Sequence, residues 1–226
     1  MTAKELKKDL REIAQAAFPF ITFWGFESED IFRWKGRHFV YCDHAYFERG
    51  YEKLNFRVLV DEPHQSKLRT DLPDDRMRRF CPFPRPWVQG SKVVVIPAQP
   101  MMELYHDASA WTNEAVETLK RHTDREIVVK EKGQGDFQEV LKDAWAVVSH
   151  SSVAAVEAAY SGVPVFGPRT SPAFWVGEED LTKIEEPATP DREHWLRTLS
   201  YSQFHLDEIK NGMAWRTVKE LWLSQT

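Results

Sequence analysis

The spacing of hydrophobic positions shifts between the helical and the strand period along the chain, and this predicts an α/β protein. Lys4 to Ala17 place Leu6, Leu10 and Ile13 among charged residues, which indicates a short amphipathic helix. Aromatic and β-branched runs then predict three strands, at Phe20 to Phe26, Arg37 to Cys42 and Leu54 to Val60. These four elements predict a small N-terminal lobe.

From Lys92 onward, strand and helix patterns alternate, which is typical of a parallel sheet. The predicted strands and helices are Lys92–Ile96, Ala110–His122, Glu126–Lys130, Asp136–Lys142 and Ala144–Ser149. Two further helical patterns follow at Asp191–Leu199 and Leu206–Leu223. An apolar stripe in the last of them predicts a helix that packs back on the N-terminal lobe.

The stretch from Val147 to Gly167 predicts strand, helix and strand in direct succession. Ser151 or Ser152 can cap the helix, and Gly162 followed by Pro164 ends it. In such a unit the start of the helix lies at the carboxyl edge of the sheet, where N–H groups and hydroxyls face an anion. A nucleotide diphosphate is the ligand that this pattern predicts.

Glu157 is a carboxylate in a helix otherwise lined by Ala and Val. Burial of a carboxylate is costly unless donors surround it, and a ribose diol supplies such donors. A hydrogen-bonded Glu in a capped helix also occurs in doubly wound domains of other kinds, so the structural interpretation stays open.

Hydroxyl residues at a helix start, then Glu-Ala, then Gly-x-Pro-Val, resemble the donor-binding half of GT-B glycosyltransferases. The resemblance runs from Val93 to Gly167 and extends to the peptidoglycan GlcNAc transferase and to capsule polysaccharide transferases. It implies that His150, Ser151 and Ser152 hold the donor diphosphate and that Glu157 binds the ribose. It also implies that the loop with Arg169 and Ser171 closes near the phosphates.

Lys130 and Lys132 follow a predicted strand, in a segment that resembles the Arg/Lys-x-Lys-Pro segment of capsule-type transferases. The resemblance implies that these cations contact the donor phosphates. Gly133 stands where the family has Pro, which is a departure from the pattern.

Taken together, these features predict two small Rossmann-like lobes that face a cleft, in a compact GT-B-like arrangement. The predicted domains are 1–91 on the acceptor side, 92–190 for the donor nucleotide, and 191–226 as helices that brace the lobes. The chain has 226 residues, which is short for this fold.

Asp43 and His44 follow the second predicted strand, and we expect them on a loop at the strand end, where α/β enzymes keep reactive groups. A desolvated Asp or a His can be poised near neutral pH and act as the base for an acceptor hydroxyl, while Arg49 offsets charge. The alternative is that Asp43 caps a turn and His44 packs beside Tyr46. The segment resembles an Asp-His-Gly-Tyr-Phe-x-Arg-Gly pattern of bacteriophage-encoded proteins, with Ala45 in place of Gly.

The segment from His64 to Lys92 carries seven cations against three anions, interleaved with aromatic side chains. Such interleaving favours contact with single-stranded or flipped-out nucleotides, and it is also typical of a solvated connector. The candidates for DNA contact are Arg76, Arg78, Arg79 and Trp87. With the phage resemblance, they point to a hydroxymethylated pyrimidine in DNA as the acceptor.

Composition limits the remaining possibilities. The net charge is −5, and two cysteines indicate neither a disulfide framework nor a zinc cluster. No apolar stretch has the length of a signal peptide core or a membrane span, so we expect a soluble, cytoplasmic protein. We expect neither a metal nor a bound cofactor, and a nucleotide sugar such as a UDP-sugar is the expected co-substrate.

The sequence therefore predicts a glycosyltransferase that moves a sugar from a nucleotide-sugar donor to a hydroxyl acceptor. Two alternatives stay open. One is a non-catalytic protein of the same fold that binds a nucleotide or a partner. The other is a nucleotide-sugar epimerase or hydrolase.

Overall fold

The structure is a computed structural model, and it describes residues 3–25, 29–34 and 36–223, with only the backbone at 3–7 and 29. The described chain forms two compact units. The first joins residues 1–81 to 196–226, and the second comprises residues 82–195. The predicted ranges 1–91, 92–190 and 191–226 stay predictions as domains.

Helices and strands alternate through much of the chain, so the predicted α/β class is confirmed. The strands are β1 (Thr22–Trp24), β2 (Val40–His44), β3 (Asn55–Val60), β4 (Lys92–Ile96), β5 (Ile127–Val129), β6 (Ala144–Ser149), β7 (Val165–Phe166) and β8 (Gln203–His205). The α-helices are α1 (Ala3–Ala17), α2 (Asp75–Phe80), α3 (Pro100–Tyr105), α4 (Trp111–His122), α5 (Phe137–Leu141), α6 (Ala154–Tyr160), α7 (Glu193–Ser200), α8 (Leu206–Lys210) and α9 (Met213–Val218). Among these described helices, none combines the length and the apolar character needed to cross a membrane.

The first unit contains a mixed sheet in the order β1-β2-β3-β8. β1 runs parallel to β2, whereas β2 with β3 and β3 with β8 are antiparallel. Helices α1, α8 and α9 pack with this sheet around a core that includes Leu10, Trp24, Phe56 and Phe204. The sheet of this unit is therefore mixed, with two antiparallel pairings and one parallel pairing, and differs from the all-parallel sheet of a Rossmann-like lobe.

Two predictions for the first unit need correction. The last predicted helix, Leu206–Leu223, is divided into α8 and α9 by Gly212, which adopts φ +78°, and α9 continues into a π-helical segment at Lys219–Leu223. The strand predicted at Phe20–Phe26 is described only as Thr22–Trp24, and its last residue lies outside the described part of the chain.

The second unit contains a parallel sheet in the order β5-β4-β6-β7. Val93, Val95, Ala146 and Val148 pack on one face of this sheet against Leu119 of α4. Strands β4 and β6 match the predicted bounds, and β5 is one residue shorter at each end than predicted.

Helix α6 ends as the sequence predicts, with a Schellman turn. Gly162 adopts φ +87°, its N–H donates to Ala159 O, and the N–H of Val163 donates to Ala158 O at 2.9 Å. A Cβ on Gly162 would lie 2.0 Å from Pro86 O, so the adjoining chain leaves no room for a side chain. The guanidinium of Arg192 also donates to Ala159 O, which places a cation at the negative end of the helix.

Candidate functional site

The strand order of the second unit fixes where a ligand crevice forms. The chain leaves β4 toward β5 on one side, and it returns with β6 on the other side of β4. Right-handed crossovers therefore send the connections after β4 and β6 to opposite faces of the sheet. A crevice opens at such a switch point, beyond the carboxyl ends of the two strands, and α/β proteins bind ligands there. The residues that follow these strands are Pro97 to Gln99 and His150 to Val153.

His150 is the first residue past β6 and is only 5% exposed. Burial lowers the pKa of its imidazole. The hydroxyl of Thr170 donates to the His150 carbonyl at 3.0 Å and lies 3.3 and 3.4 Å from its two ring nitrogens. Gly167 brings the two loops together, because a Cβ at this position would lie 2.2 Å from Ser149 O.

The turn between β6 and α6 is built from serine side chains. The Ser149 hydroxyl accepts from the N–H of Ser152 at 3.3 Å, and the Ser152 hydroxyl accepts from the N–H of Ala154 at 3.2 Å. Helix α6 itself has Val153 as its N-cap residue and no side-chain cap, so the predicted cap by Ser151 or Ser152 is wrong, and the Ser152 hydroxyl instead closes the turn that leads into the helix. Ser151 is buried, with 3% of its surface exposed, whereas Ser152 is half-buried.

Glu157 lies in the first turn of α6, at its midpoint, and is half-buried. Its backbone N–H donates to Val153 O, and its carbonyl accepts from Ser161, so the main chain is part of the helix. A ribose-binding role for its carboxylate stays a prediction.

Lys130 and Lys132 differ in burial. Lys130 directly follows β5, is 9% exposed and donates from Nζ to the Glu131 carbonyl at 3.1 Å. Lys132 is exposed. Since β5 lies two strands from β6, with β4 between, the ends of these strands are roughly 10 Å apart. Of the two lysines, Lys130 is therefore the one that the fold holds in a defined place at this edge.

Arg169 and Ser171 belong to the loop that follows β7. The Arg169 guanidinium lies 4.9 Å from the Phe174 ring centre and 5.8 Å from that of Trp175, which are cation–π distances. Ser171 is buried, and its hydroxyl accepts from the N–H of Ala173 at 3.3 Å. Both residues shape the loop that carries Thr170.

In the first unit, Asp43 lies within β2 opposite Arg57 of β3, and not on a loop as the sequence predicts. Arg57 Nη2 donates to Asp43 Oδ2 at 2.7 Å, and the Tyr41 hydroxyl donates to the same oxygen at 3.1 Å. The N–H of His44 donates to Oδ1 at 2.7 Å. These contacts fix the carboxylate in one orientation.

The protonation state of Asp43 differs from what a base poised near neutral pH requires. Burial acts to raise the pKa, but the charge of Arg57 and the hydrogen bonds from His44 and Tyr41 outweigh it, so the pKa of Asp43 lies below its ordinary value. The expectation that desolvation poises this carboxyl near neutrality is therefore wrong. Arg57 itself is buried and also donates to the carbonyls of Pro63 and His44.

His44 is the last residue of β2. Its ring contacts Tyr51 edge to face at a centroid distance of 4.5 Å, and Phe56 lies 6.4 Å away. Tyr51 and Phe56 are thus aromatic neighbours of this ring. Arg49 is exposed in the following turn.

Several cations of the basic segment from His64 to Lys92 are paired with carboxylates. Arg76 is buried and pairs with Glu208 at 2.7 Å, so its predicted DNA contact is wrong for a physical reason: the charge is used inside the unit. Arg79 also reaches Glu208, at 3.5 Å, and Arg78 pairs with Asp74 on the surface. The indole N–H of Trp87 donates to Pro190 O at 3.1 Å, and Arg192 stacks on this ring at 4.1 Å.

A depression of about 590 Å³ lies near the opposite end of the second sheet, between the end of α4 and the start of β5. Arg125 in its wall pairs with Glu185 at 3.0 Å and stacks over Trp145 at 3.6 Å. Its lining carries Lys120, Arg121 and Arg125 together with Asp124 and Glu185, and it lies at the amino end of β5, away from the switch point.

Sequence reasoning missed several residues of the candidate site. His106 and Trp111 bring their rings to 5.5 Å and 5.2 Å from the His150 ring, and Thr170 and Arg57 hold His150 and Asp43. Trp111 was readable only as an apolar position of a helix. Among the described residues, no group of three His, Cys, Asp or Glu side chains is arranged to hold a metal.

No protein-family model matches the chain, and no curated protein matches its sequence. Among solved structures, the chain is similar to Thermosulfurimonas dismutans KpsC, a beta Kdo 2,4 transferase, at 14% sequence identity. The match covers 87% of this chain and 86% of that chain, with a TM-score of 0.48. A likeness at this level assigns neither a fold nor an activity to this chain.

Proposed function

We propose that the protein is a glycosyltransferase that moves a sugar from a nucleotide-activated donor to a hydroxyl acceptor. The observation that carries the proposal is the switch point between β4 and β6, since α/β proteins bind ligands beyond the strand ends at such a point. Polar residues follow the strands at this edge: His150 and Ser152 after β6, and buried Lys130 after β5. A nucleotide diphosphate matches this combination of a cation, hydroxyls and a helix start.

On the donor side, Lys130 balances the charge that develops on the leaving diphosphate. A hydrogen bond to a charged group contributes about 1.5–3 kcal/mol when water is excluded. Ser151 and Ser152 orient the phosphates, and Glu157 accepts hydrogen bonds from the ribose hydroxyls.

On the acceptor side, the proposal takes His44 as the base, because the lowered pKa of Asp43 makes that carboxylate a weaker base. The acceptor oxygen bonds to the anomeric carbon, the bond from that carbon to the phosphate oxygen breaks, and the acceptor proton passes to His44. Asp43 stays anionic and stabilises the imidazolium that forms, because an adjacent carboxylate favours the charged ring. Arg49 is placed in the turn that follows, where it can offset charge.

A DNA acceptor and phage origin are not part of the proposal. Arg76 is buried against Glu208, and Trp87 donates its indole N–H to Pro190, so two of the four side chains on which that expectation depends are used internally. The base and the sugar of the donor are left to experiment, with UDP-sugars as the first to be tested.

The test is release of free nucleotide from a panel of nucleotide sugars, with and without a panel of hydroxyl acceptors. Lys130→Met keeps the aliphatic stem and removes the charge, and we expect turnover to fall about 10- to 100-fold, since 1.4 kcal/mol corresponds to a factor of ten. Lys142→Met is the matched control, because this exposed lysine of the same unit pairs only with Glu139 on the surface. The proposal would be contradicted if the wild type released no nucleotide from any donor. It would also be contradicted if the wild type released nucleotide in the presence of an acceptor but Lys130→Met and Lys142→Met lost turnover equally.

A second candidate is a non-catalytic protein that binds a nucleotide at the same edge. The observation in its favour is the Asp43 carboxylate, which three donors hold in place in the way of a structural ion pair. A nucleotide sugar that raises the melting temperature without turnover would favour this candidate. Release of nucleotide without any acceptor would instead favour the hydrolase.

A further inference from the structure

Three rings from three separate elements converge at the candidate donor crevice. His150 follows β6, His106 follows α3, and Trp111 begins α4. The His106 and His150 ring centres are 5.5 Å apart with planes at 52°, and Trp111 meets His150 edge to face at 5.2 Å. Tyr105 contacts His106 at 5.0 Å on the side of α3.

The two histidines reach the crevice from the two sides of the switch point. The connection after β4 carries α3 and His106, and the connection after β6 begins with His150. Since their ring centres are only 5.5 Å apart, the two imidazoles are in contact, and a ligand at this edge would meet them as one surface.

Two imidazoles at this distance repel each other when both are protonated, and burial adds a cost to the charged form of His150. Without a ligand, burial therefore favours the neutral form of His150. An anion beside the two rings favours the charged forms, because it compensates both the repulsion and the lost hydration.

The charged groups around His106 and His150 do not replace a bound anion in favouring the protonated rings. The His150 ring contacts His106, Trp111 and Thr170, and burial is the cause of its lowered pKa. Other charged residues lie on the elements that contribute these side chains: Glu103, Asp107, Glu114 and Arg169. Arg169 is held over Phe174, and Asp107 is exposed beside His106.

We propose that His106 and His150 together bind a phosphate group of the donor in their protonated form, so that anion binding takes up protons from solution. The inference rests on the proposed function for the identity of the ligand as a nucleotide sugar. The anion site itself requires only that a phosphate-like anion contacts both imidazoles.

The experiment follows the Cε1–H resonances of the histidines by NMR between pH 5 and 8, at constant ionic strength set with NaCl. The probes are sulfate and UDP-glucose, because neither titrates in this range and any proton taken up must come from the protein. The chain has eight histidines, and His106→Asn and His150→Asn assign the two resonances. His194→Asn is the control, since this histidine of the same unit is exposed on α7.

We expect sulfate to raise the midpoints of the two assigned resonances by about one pH unit, as a nearby opposite charge does, and to leave that of His194 unchanged. We expect each Asn substitution to weaken sulfate binding severalfold. Unchanged midpoints for both histidines with both probes would overturn the inference, and this result needs no variant that folds.

The two proposals fail separately. Turnover of a nucleotide sugar without any shift in the titration midpoints of the two histidines would support the transferase proposal and contradict the anion site. Midpoint shifts with sulfate, in a protein that turns over no nucleotide sugar, would support the anion site and contradict the transferase proposal.

Discussion

The ion pair between Arg76 and Glu208 offers a sharp test of how the first unit is held together. Arg76 joins α2 to the segment around β8, where Nη1 lies 2.7 Å and Nη2 lies 3.1 Å from the two Glu208 oxygens. Its Nε and Nη2 also donate to the carbonyls of Ser200 and Gln203. The Phe204 ring centre lies 4.8 Å from its guanidinium.

Arg76→Met keeps much of the volume and removes every one of these donors. Removal of one partner of a buried pair costs about 3–5 kcal/mol, because the remaining carboxylate stays desolvated. With a urea dependence of about 2 kcal/mol per M, a loss of about 4 kcal/mol lowers the unfolding midpoint by roughly 2 M. Arg78→Met is the matched control on the same helix, since its exposed pair with Asp74 is worth at most about 0.5 kcal/mol.

The same variant has a pH signature. Burial acts to raise the pKa of Glu208, but its bonds from Arg76 and from the His205 N–H lower it below the ordinary value of 4.5. The ion pair therefore stabilises the fold above pH 4.5, and this contribution is lost as the pH falls from 4.5 through the lower pKa of Glu208 in the folded protein. The difference between wild type and Arg76→Met should shrink below about pH 4.5.

Urea unfolding followed by circular dichroism measures the midpoints, and hydrogen exchange of the β3 and β8 amides locates the loss in the first unit. Equal midpoints for Arg76→Met and Arg78→Met would refute the reasoning. A folded Arg76→Met that loses affinity for single-stranded DNA would restore the nucleic-acid interpretation of this arginine.

Two further predictions concern stability. Gly162→Ala should cost about 2–4 kcal/mol in thermal unfolding, because the new Cβ meets Pro86 O at 2.0 Å. Gly212→Ala, at φ +78° with open space around it, should cost only about 1–2 kcal/mol, and equal costs would be contrary to this account. Asp43→Asn should destabilise the protein at pH 7, and the difference from the wild type should shrink as the pH falls below 3.8, because the lowered pKa of Asp43 makes its contribution present above that pH and lost on acidification through the folded pKa. A difference that persists unchanged at acid pH in urea titrations would speak against the Arg57 pair as its source.

The parallel sheet of the second unit was predictable because its signals are local. Val93 to Ile96 and Ala144 to Ser149 are short apolar runs bounded by polar residues, and the structure gives both strands the predicted bounds. The stop at Gly162 is equally local, because it depends on hydrogen bonds within a few residues.

Elements that depend on distant partners were not predictable in this way. Strand β8 has only three residues and no alternating run, and it exists because Asn55 to Arg57 pair with it from far along the chain. The break at Gly212 was visible as a glycine within a helical pattern, but an apolar stripe on both sides favoured one continuous helix.

The residues of the candidate site also differ in whether local sequence patterns could predict them. Its serines and His150 were found from the pattern that follows one strand, whereas His106 reaches the crevice from a short helix without a strong periodic signal. The pKa of Asp43 was expected in the wrong direction because Arg57 lies 14 positions away and faces it only once the two strands pair.

The division of the first unit between residues 1–81 and 196–226 has a consequence for biosynthesis. As the ribosome releases the chain, residues 82–195 are complete before the final stretch emerges, so this middle part can fold while the earlier part waits. Until residues 203–205 arrive, β3 presents an unpaired edge, and Glu208 is absent as the counter-ion of Arg76. Nascent chains stalled before residue 200 should therefore be the species that chaperones hold and that proteases cut, with the cleavages confined to the first 81 residues.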